Sequence, residues 1–149
     1  MSADQVTALR TTVLPPGLAA PAPTADGLDT PFWEATRRHA LVLQRCRSCG
    51  RFQPHEHICW RCHSFDLGWA PVEPHGVVFS WERVWHPVHP ALREAGPYVV
   101  LLVELPHADG VRLVGNLVGD PLTDVRIGAP VVASFEDHDG YTLVQWSSA

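Results

Sequence analysis

The chain has 149 residues, 46% hydrophobic and 18% charged, with a formal net charge of −5. That suits one ordinary domain, or a small module joined to a slightly larger one, with enough apolar side chains for a real core. All 11 basic residues are arginine, which excludes a lysine Schiff base, a lysine general base and a P-loop on this chain.

No apolar run approaches the roughly 18–20 residues needed to span a bilayer. The opening MSADQVTALRTT lacks the charged and apolar regions of a secretory signal. The expectation is a soluble, cytoplasmic protein without membrane partners. Charge is unevenly spread: residues 31–63 carry six arginines against Glu34 and Glu56, a net +4, while residues 64–149 carry four against eleven acids, a net −7. The two segments are expected to have different partners or to meet each other.

Residues 1–30 are expected to form a flexible arm or linker, because TTVLPPGLAAPAPTADGLDTP has no apolar periodicity and proline favours extended backbone. In TPFWEATRRHALVLQRC, Thr30 is a plausible N-cap with Pro31 at the first helical position and Glu34 in the first turn. The pattern predicts a helix over 31–39 and a short strand over 41–44. After the cysteines, SFDLGWAPVEPHG reads as loop and connector, punctuated by Pro71, Pro74 and Gly76.

Five strands are predicted next, at 77–85, 98–105, 111–118, 131–136 and 141–146. In the first, Val78, Ser80, Glu82 and Val84 alternate with Val77, Phe79, Trp81 and Arg83. Asp109-Gly110 is a good hairpin signal between the second and third strands. Five short strands without a long intervening helix indicate a small barrel of the OB type, with an SH3-like barrel or half-sandwich fitting nearly as well. The fold class is mainly β: a helix plus a small ribbon module over 31–70, then a five-stranded OB-fold over 71–149.

Residues 46–62 read CRSCGRFQPHEHICWRC and hold all four cysteines. Each Cys-x-x-Cys turn lets two thiolates converge on one ion, so Cys46, Cys49, Cys59 and Cys62 are expected to form a closed tetrahedral S₄ site. Zinc is the default metal, one structural ion per chain; Gly50 after the first pair resembles a rubredoxin knuckle and keeps iron in play. A saturated zinc site has no open position and cannot activate water. His55, His57 and His63 are therefore expected at the surface or behind the ligands, with Phe52 and Trp60 covering the site.

Helix, CRSCGR, CWRC, GVVFSWERVWHPVHP, YVVLLVELPHADGVRLVGNLVG and IGAPVVASFE, in this order, resemble the acyl-CoA-associated zinc-ribbon/OB-fold family (domain of unknown function family thirty-five). The resemblance covers about residues 30–146. It implies an N-terminal helix, a rubredoxin-like ribbon and an OB-fold, and a partner of thiolase-superfamily enzymes rather than an enzyme. It implies binding to a thiolase, an acyltransferase complex or a lipid-transfer-protein-type aldolase, and fusion to or association with a hot-dog-fold enoyl-CoA hydratase. The Pro/Ala-rich segment favours the aldolase system, and with it retro-aldol cleavage of a steroid side-chain CoA thioester. Two departures stand out: Cys-Trp-Arg-Cys-His where the family often has Cys-Pro-x-Cys-Gly, and VQWSSA where relatives often end in a Phe-Arg-Pro-like segment.

No Gly-x-Ser-x-Gly elbow is present, and no cysteine remains as a nucleophile once four bind metal. No catalytic residue is assigned. His86 and His89 in WHPVHP are the best acid/base candidates, but they read better as a solvated loop. Candidate docking or CoA-phosphate residues are Arg37, Arg38, Arg45, Arg47 and Arg51, with a CoA thioester expected at the partner interface. Candidate interface anchors are Phe32, Trp33, Trp85, His86 and His89, because aromatic side chains dominate interface energetics. The alternative is a single-stranded nucleic-acid-binding protein, since zinc ribbons and OB-folds both serve that role. The −7 barrel segment argues against it, because phosphate neutralisation drives that affinity.

Overall fold

A computed structural model describes residues 22–23, 27–86, 89–92 and 96–149. The predicted arm over 1–30 falls largely outside the described residues. Among the described residues a single α-helix, α1 (Thr30–Thr36), precedes a three-stranded sheet, β1 (Leu41–Cys46), β2 (Phe52–Gln53) and β3 (Leu67–Val72). A five-stranded sheet follows: β4 (His75–Val84), β5 (Tyr98–Leu105), β6 (Val111–Asn116), β7 (Pro130–His138) and β8 (Tyr141–Ser148).

The helix starts one residue earlier than expected and ends three residues sooner. Asp29, not Thr30, occupies the N-cap position, without a side-chain capping bond. Its carboxylate instead accepts the Trp33 indole N–H at 2.8 Å. The helix ends at Thr36 because the chain turns left-handed at His39 (φ 54), with Ala40 N–H returning to the Ala35 carbonyl at 3.1 Å.

In the first sheet β1 is central and antiparallel to both neighbours. Its third strand was not expected: Leu67–Val72 lies in the stretch read as connector. Pro71 pairs opposite Val42, and β3 is an edge strand, where a residue without a backbone donor is tolerated.

The second sheet runs β6-β5-β4-β7-β8, antiparallel throughout. Its outer strands meet: Leu117 bridges Trp146 in parallel, and Val118 N–H donates to the Trp146 carbonyl at 2.8 Å. Three antiparallel strands followed by a hairpin that closes on the third is the OB arrangement. β5 alternates along its length, with Val99, Leu101, Val103 and Leu105 buried.

The alternation assigned to β4 holds only as far as Val78. Val78 pairs with Val103, but Ser80 pairs with Leu102, so Phe79 is an extra residue. This bulge turns Trp81 to Val78's side of the sheet, where it packs on the barrel core, and leaves Phe79 41% exposed.

Two apolar clusters hold the molecule. The first fills the barrel with Val78, Val99, Leu101, Val103, Leu117, Val131 and Trp146. The second joins the sheets: Leu41 and Leu43 from β1 pack with Leu105, Ala108 and Val111 around the β5–β6 hairpin. Two polar ties reinforce that seam. Asp109, left-handed at φ 55, accepts the Phe52 backbone N–H at 2.8 Å. His39 Nε2 lies 3.0 Å from the Asp137 carboxylate, with its ring stacked on Phe135.

Candidate metal centre and docking surface

β1 ends at Cys46, so the first knuckle grows directly from the central strand of the ribbon. The chain turns there with Gly50 N–H donating to the Cys46 carbonyl at 2.8 Å, and Gly50 sits at φ 77. The second knuckle repeats the turn: His63 N–H donates to the Cys59 carbonyl at 2.9 Å, at φ 58. His63 thus takes the left-handed position that glycine fills in the first knuckle, a conformation that costs an ordinary side chain about 1 kcal/mol.

The turns bring all four sulfurs within 4.8 Å of one another. Cys46 Sγ lies 3.6 Å from Cys62 Sγ, and Cys49 Sγ lies 3.7 Å from Cys59 Sγ. An ion with metal–sulfur bonds of about 2.3 Å needs tetrahedral edges of roughly 3.8 Å, so the donor set fits zinc. Cys46 and Cys59 are buried, Cys49 and Cys62 exposed.

Backbone N–H groups favour thiolate: that of Cys62 leads in bringing Cys59 down to about 6, and that of Cys49 leads in lowering Cys46. At Cys62 the Ser64 N–H also favours the thiolate, but burial and the other three sulfurs push it up to about 12. Crowded sulfurs resist holding four negative charges together, and a divalent cation at their centre removes that repulsion.

The loop between the knuckles is clamped by two buried glutamines that sequence reasoning did not single out. Gln53 Nε2 donates to Gln44 Oε1 at 2.7 Å, and Gln44 Nε2 donates to the Glu56 carbonyl at 2.9 Å. Gln44 Oε1 also accepts the Glu56 N–H at 3.0 Å. No spacing rule marks such a pair, although two glutamines flanking a knuckle in otherwise apolar strand positions are a usable cue.

His55, His57 and His63 are exposed, and among the described residues the cluster that could hold a metal contains cysteines alone. Phe52 packs on the seam cluster with the Arg45 guanidinium 5.1 Å from its ring. Trp60 is 55% exposed, under Arg51 at 4.6 Å.

Arg45 and Arg47 line one hollow of 320 Å³ with Trp69 and Gly68. Arg45 Nε donates to the Gly50 carbonyl at 2.7 Å, and Arg47 pairs with Asp66 at 3.1 Å. The Arg47 guanidinium lies over Gly68, in the space a side chain would take: a Cβ there would meet Arg47 Nε at 2.8 Å. Arg37 and Arg38 are exposed just past the helix, while Arg51 serves the Trp60 face.

Phe32 is half-buried against the seam cluster, and Trp33 is held by Asp29. Trp85 is 57% exposed, near the Arg83 guanidinium, which donates to the Pro121 and Thr123 carbonyls. His86 and His89 are exposed on either side of residues outside the described set. No described helix is long and apolar enough to cross a membrane.

Fold and sulfur cluster together define a class of protein, a rubredoxin-like zinc ribbon seated on an OB-fold barrel. Comparisons with known proteins agree. Residues 33–68 match the family model "ChsH2, rubredoxin-like zinc ribbon domain", and residues 69–136 match "ChsH2, C-terminal OB-fold domain". A solved structure described as "Ltp2-ChsH2(DUF35) aldolase" superposes with a TM-score of 0.71 at 37% identity, covering 87% of this chain and 98% of that one. A DUF35 protein of unknown function from Sulfolobus solfataricus shares the fold, with a TM-score of 0.59 at 16% identity over 83% and 87% of the two chains.

Among curated proteins, a probable enoyl-CoA hydratase alpha subunit of Thermomonospora curvata is 44% identical over 115 residues, 74% of this chain. The 3-oxo-4,17-pregnadiene-20-carboxyl-CoA hydratase alpha subunit of Mycobacterium tuberculosis is 32% identical over 118 residues, 77% of this chain. The matches span 34% and 36% of those two proteins, so the chain corresponds to about a third of each. The chain belongs to the ChsH2 zinc-ribbon/OB-fold family, within DUF35.

Proposed function

We propose that this chain is an accessory, non-catalytic subunit that docks a thiolase-superfamily enzyme and supports carbon–carbon bond chemistry on an acyl-CoA. The reaction assigned to the complex is retro-aldol cleavage of a steroid side-chain CoA thioester, with the active site on the thiolase-like partner. The likeness to nearly the whole ChsH2 chain of an aldolase complex carries this reading. Association with an enoyl-CoA hydratase is the second proposed contact, supported by the names of the two curated relatives.

In this reading Cys46, Cys49, Cys59 and Cys62 hold one structural zinc, which would cross-link the two knuckles and supply no reactive position. The helix and ribbon over 31–70 form the docking unit, and 71–149 form the barrel. Trp33, Trp85, His86 and His89 are the proposed contacts, with Phe32 bracing Trp33 at 5.1 Å ring to ring. Arg37, Arg38, Arg45, Arg47 and Arg51 supply the positive face for an acidic partner surface or a CoA phosphate. The cytoplasm is the proposed location.

Co-expression with a thiolase-like, lipid-transfer-protein-type aldolase tests the proposal. The expected result is a complex that co-purifies, contains zinc and cleaves the thioester, while this chain alone shows no turnover. A partner that is equally stable and equally fast without this chain would remove the accessory role.

A further inference from the structure

The two knuckles are anchored in different ways. Cys46 ends β1, and its N–H donates to the Arg51 carbonyl at 2.9 Å, so the first knuckle is continuous with the central strand of the ribbon. Cys59 and Cys62 belong to no strand. They follow the connection over 50–58, in which only Phe52 and Gln53 pair with β1.

Side-chain amides hold this connection. Gln44 grips Glu56 at both its backbone N–H and its carbonyl, as a neighbouring strand would. Gln53, directly opposite Gln44, donates to Gln44 Oε1 and, at 3.3 Å, to the Ile58 carbonyl. That carbonyl shares one planar peptide unit with the Cys59 N–H, which donates to the Ser64 carbonyl at 2.9 Å. The peptide entering Cys59 is thus fixed at both ends, and with it the backbone from which the Cys59 sulfur projects.

Gln44 is 4% and Gln53 0% exposed. Each amide gives up its hydration to be there, and Gln53 Oε1 finds no partner among the described residues. Two apolar side chains would fill the same space without that loss. A buried polar pair in a sheet this small therefore argues for positioning rather than for stability.

We propose that Gln44 and Gln53 are positioning residues for the metal site: by holding Glu56 and the peptide entering Cys59 they set the second knuckle against the first, and so govern how tightly zinc is retained. This rests on the reading of the four cysteines as a zinc site, which wild-type zinc content tests separately.

The test compares the full zinc-loaded chain with three variants. Gln53→Met keeps an unbranched side chain of similar size and removes both donors. Gln44→Glu keeps the shape and the acceptor and removes only the donor to Glu56. Leu43→Ala weakens the apolar seam on the other face of β1 and leaves the clamp intact. Zinc release to a chromogenic chelator is followed under native conditions, with the urea midpoint measured alongside. The absorption of each cobalt-substituted chain records the geometry of its four sulfurs.

Wild type should hold one zinc per chain. Gln53→Met and Gln44→Glu should release it about tenfold faster, the lower end of what residues behind metal ligands contribute to metal affinity, with shifted cobalt bands. Leu43→Ala should lower the urea midpoint yet release zinc at the wild-type rate, with unchanged bands. Unchanged release and bands in either folded glutamine variant overturn the proposal. So does release that merely follows the urea midpoint across the three variants, and so does failure of both glutamine variants to fold in excess zinc, since the clamp would then serve the fold itself. A wild-type chain that holds no zinc overturns the metal reading, and this proposal with it.

Discussion

The ribbon and the barrel solve the same problem by different means. The barrel closes on itself around Trp146 and buries a continuous apolar interior. The ribbon sheet has one long edge strand, one two-residue strand, a polar glutamine clamp and four converging sulfurs. A sheet that small buries too little apolar surface to stand alone, so it leans on a metal at one end and on the barrel hairpin at the other. Stability in the barrel is therefore distributed over many side chains, and in the ribbon it is concentrated in a few.

Metal removal should break the comparison most completely. Apparent binding energies of structural zinc sites run at about 10–16 kcal/mol, far more than a ribbon of this size holds otherwise. In Cys59→Ser, zinc content should fall to near zero. Amide exchange should accelerate through β1–β3 while β7 and β8 stay protected. Equal loss of protection in both sheets would show that the barrel, too, depends on the metal.

Cutting the seam comes next. Leu43 is 3% exposed and packs against the β5–β6 hairpin. Leu43→Ala should cost about 2–5 kcal/mol, by lost burial and a residual cavity. Denaturant unfolding should keep one transition at a lower midpoint if the seam couples the two parts; two separated transitions would show that they fold independently.

Much of this was legible beforehand, and the parts that were not have specific reasons. β5 is legible as a short, strongly apolar run, YVVLLVEL, and its hairpin falls at the Asp109-Gly110 turn signal, whereas the alternation read in β4 fails after Val78 because the pattern does not show the bulge. β3 escaped because Pro71 reads as a break, whereas in the fold it sits on an edge strand that tolerates it. The cysteine spacing located the sulfur cluster, but not the glutamine clamp or the Asp109 tie. Those depend on chain segments that only the fold brings together, 57 residues apart in the second case.

The remaining effects are smaller. His39, and then Thr142, hold Asp137 below the usual carboxylate range. Folding therefore favours the ionised form. Its contribution is present above the unfolded value near pH 4 and is lost as pH falls through the lowered folded value. His39→Ala should move the Asp137 titration, followed by carboxyl-carbon NMR, upward toward the ordinary value; an unmoved titration would show that the tie between the helix end and β7 carries no charge preference. Smallest of all, His63→Gly should stabilise the zinc-loaded protein by about 1 kcal/mol or less in a thermal melt, by relieving the left-handed backbone at the second knuckle.

The extra residue at Phe79 has a consequence for how β4 tolerates change. It works as a phase shifter: before it the even-numbered residues face the interior, and after it the odd-numbered ones do. Deleting Phe79 would restore plain alternation and leave Trp81 opposite Leu101, facing the interior; it is a regular strand that kept all its residues that would send Trp81 to solvent and point Glu82 at the barrel. The strand can therefore lose the extra residue without changing which side chains face the core, and what it cannot absorb is a one-residue slip beyond Ser80.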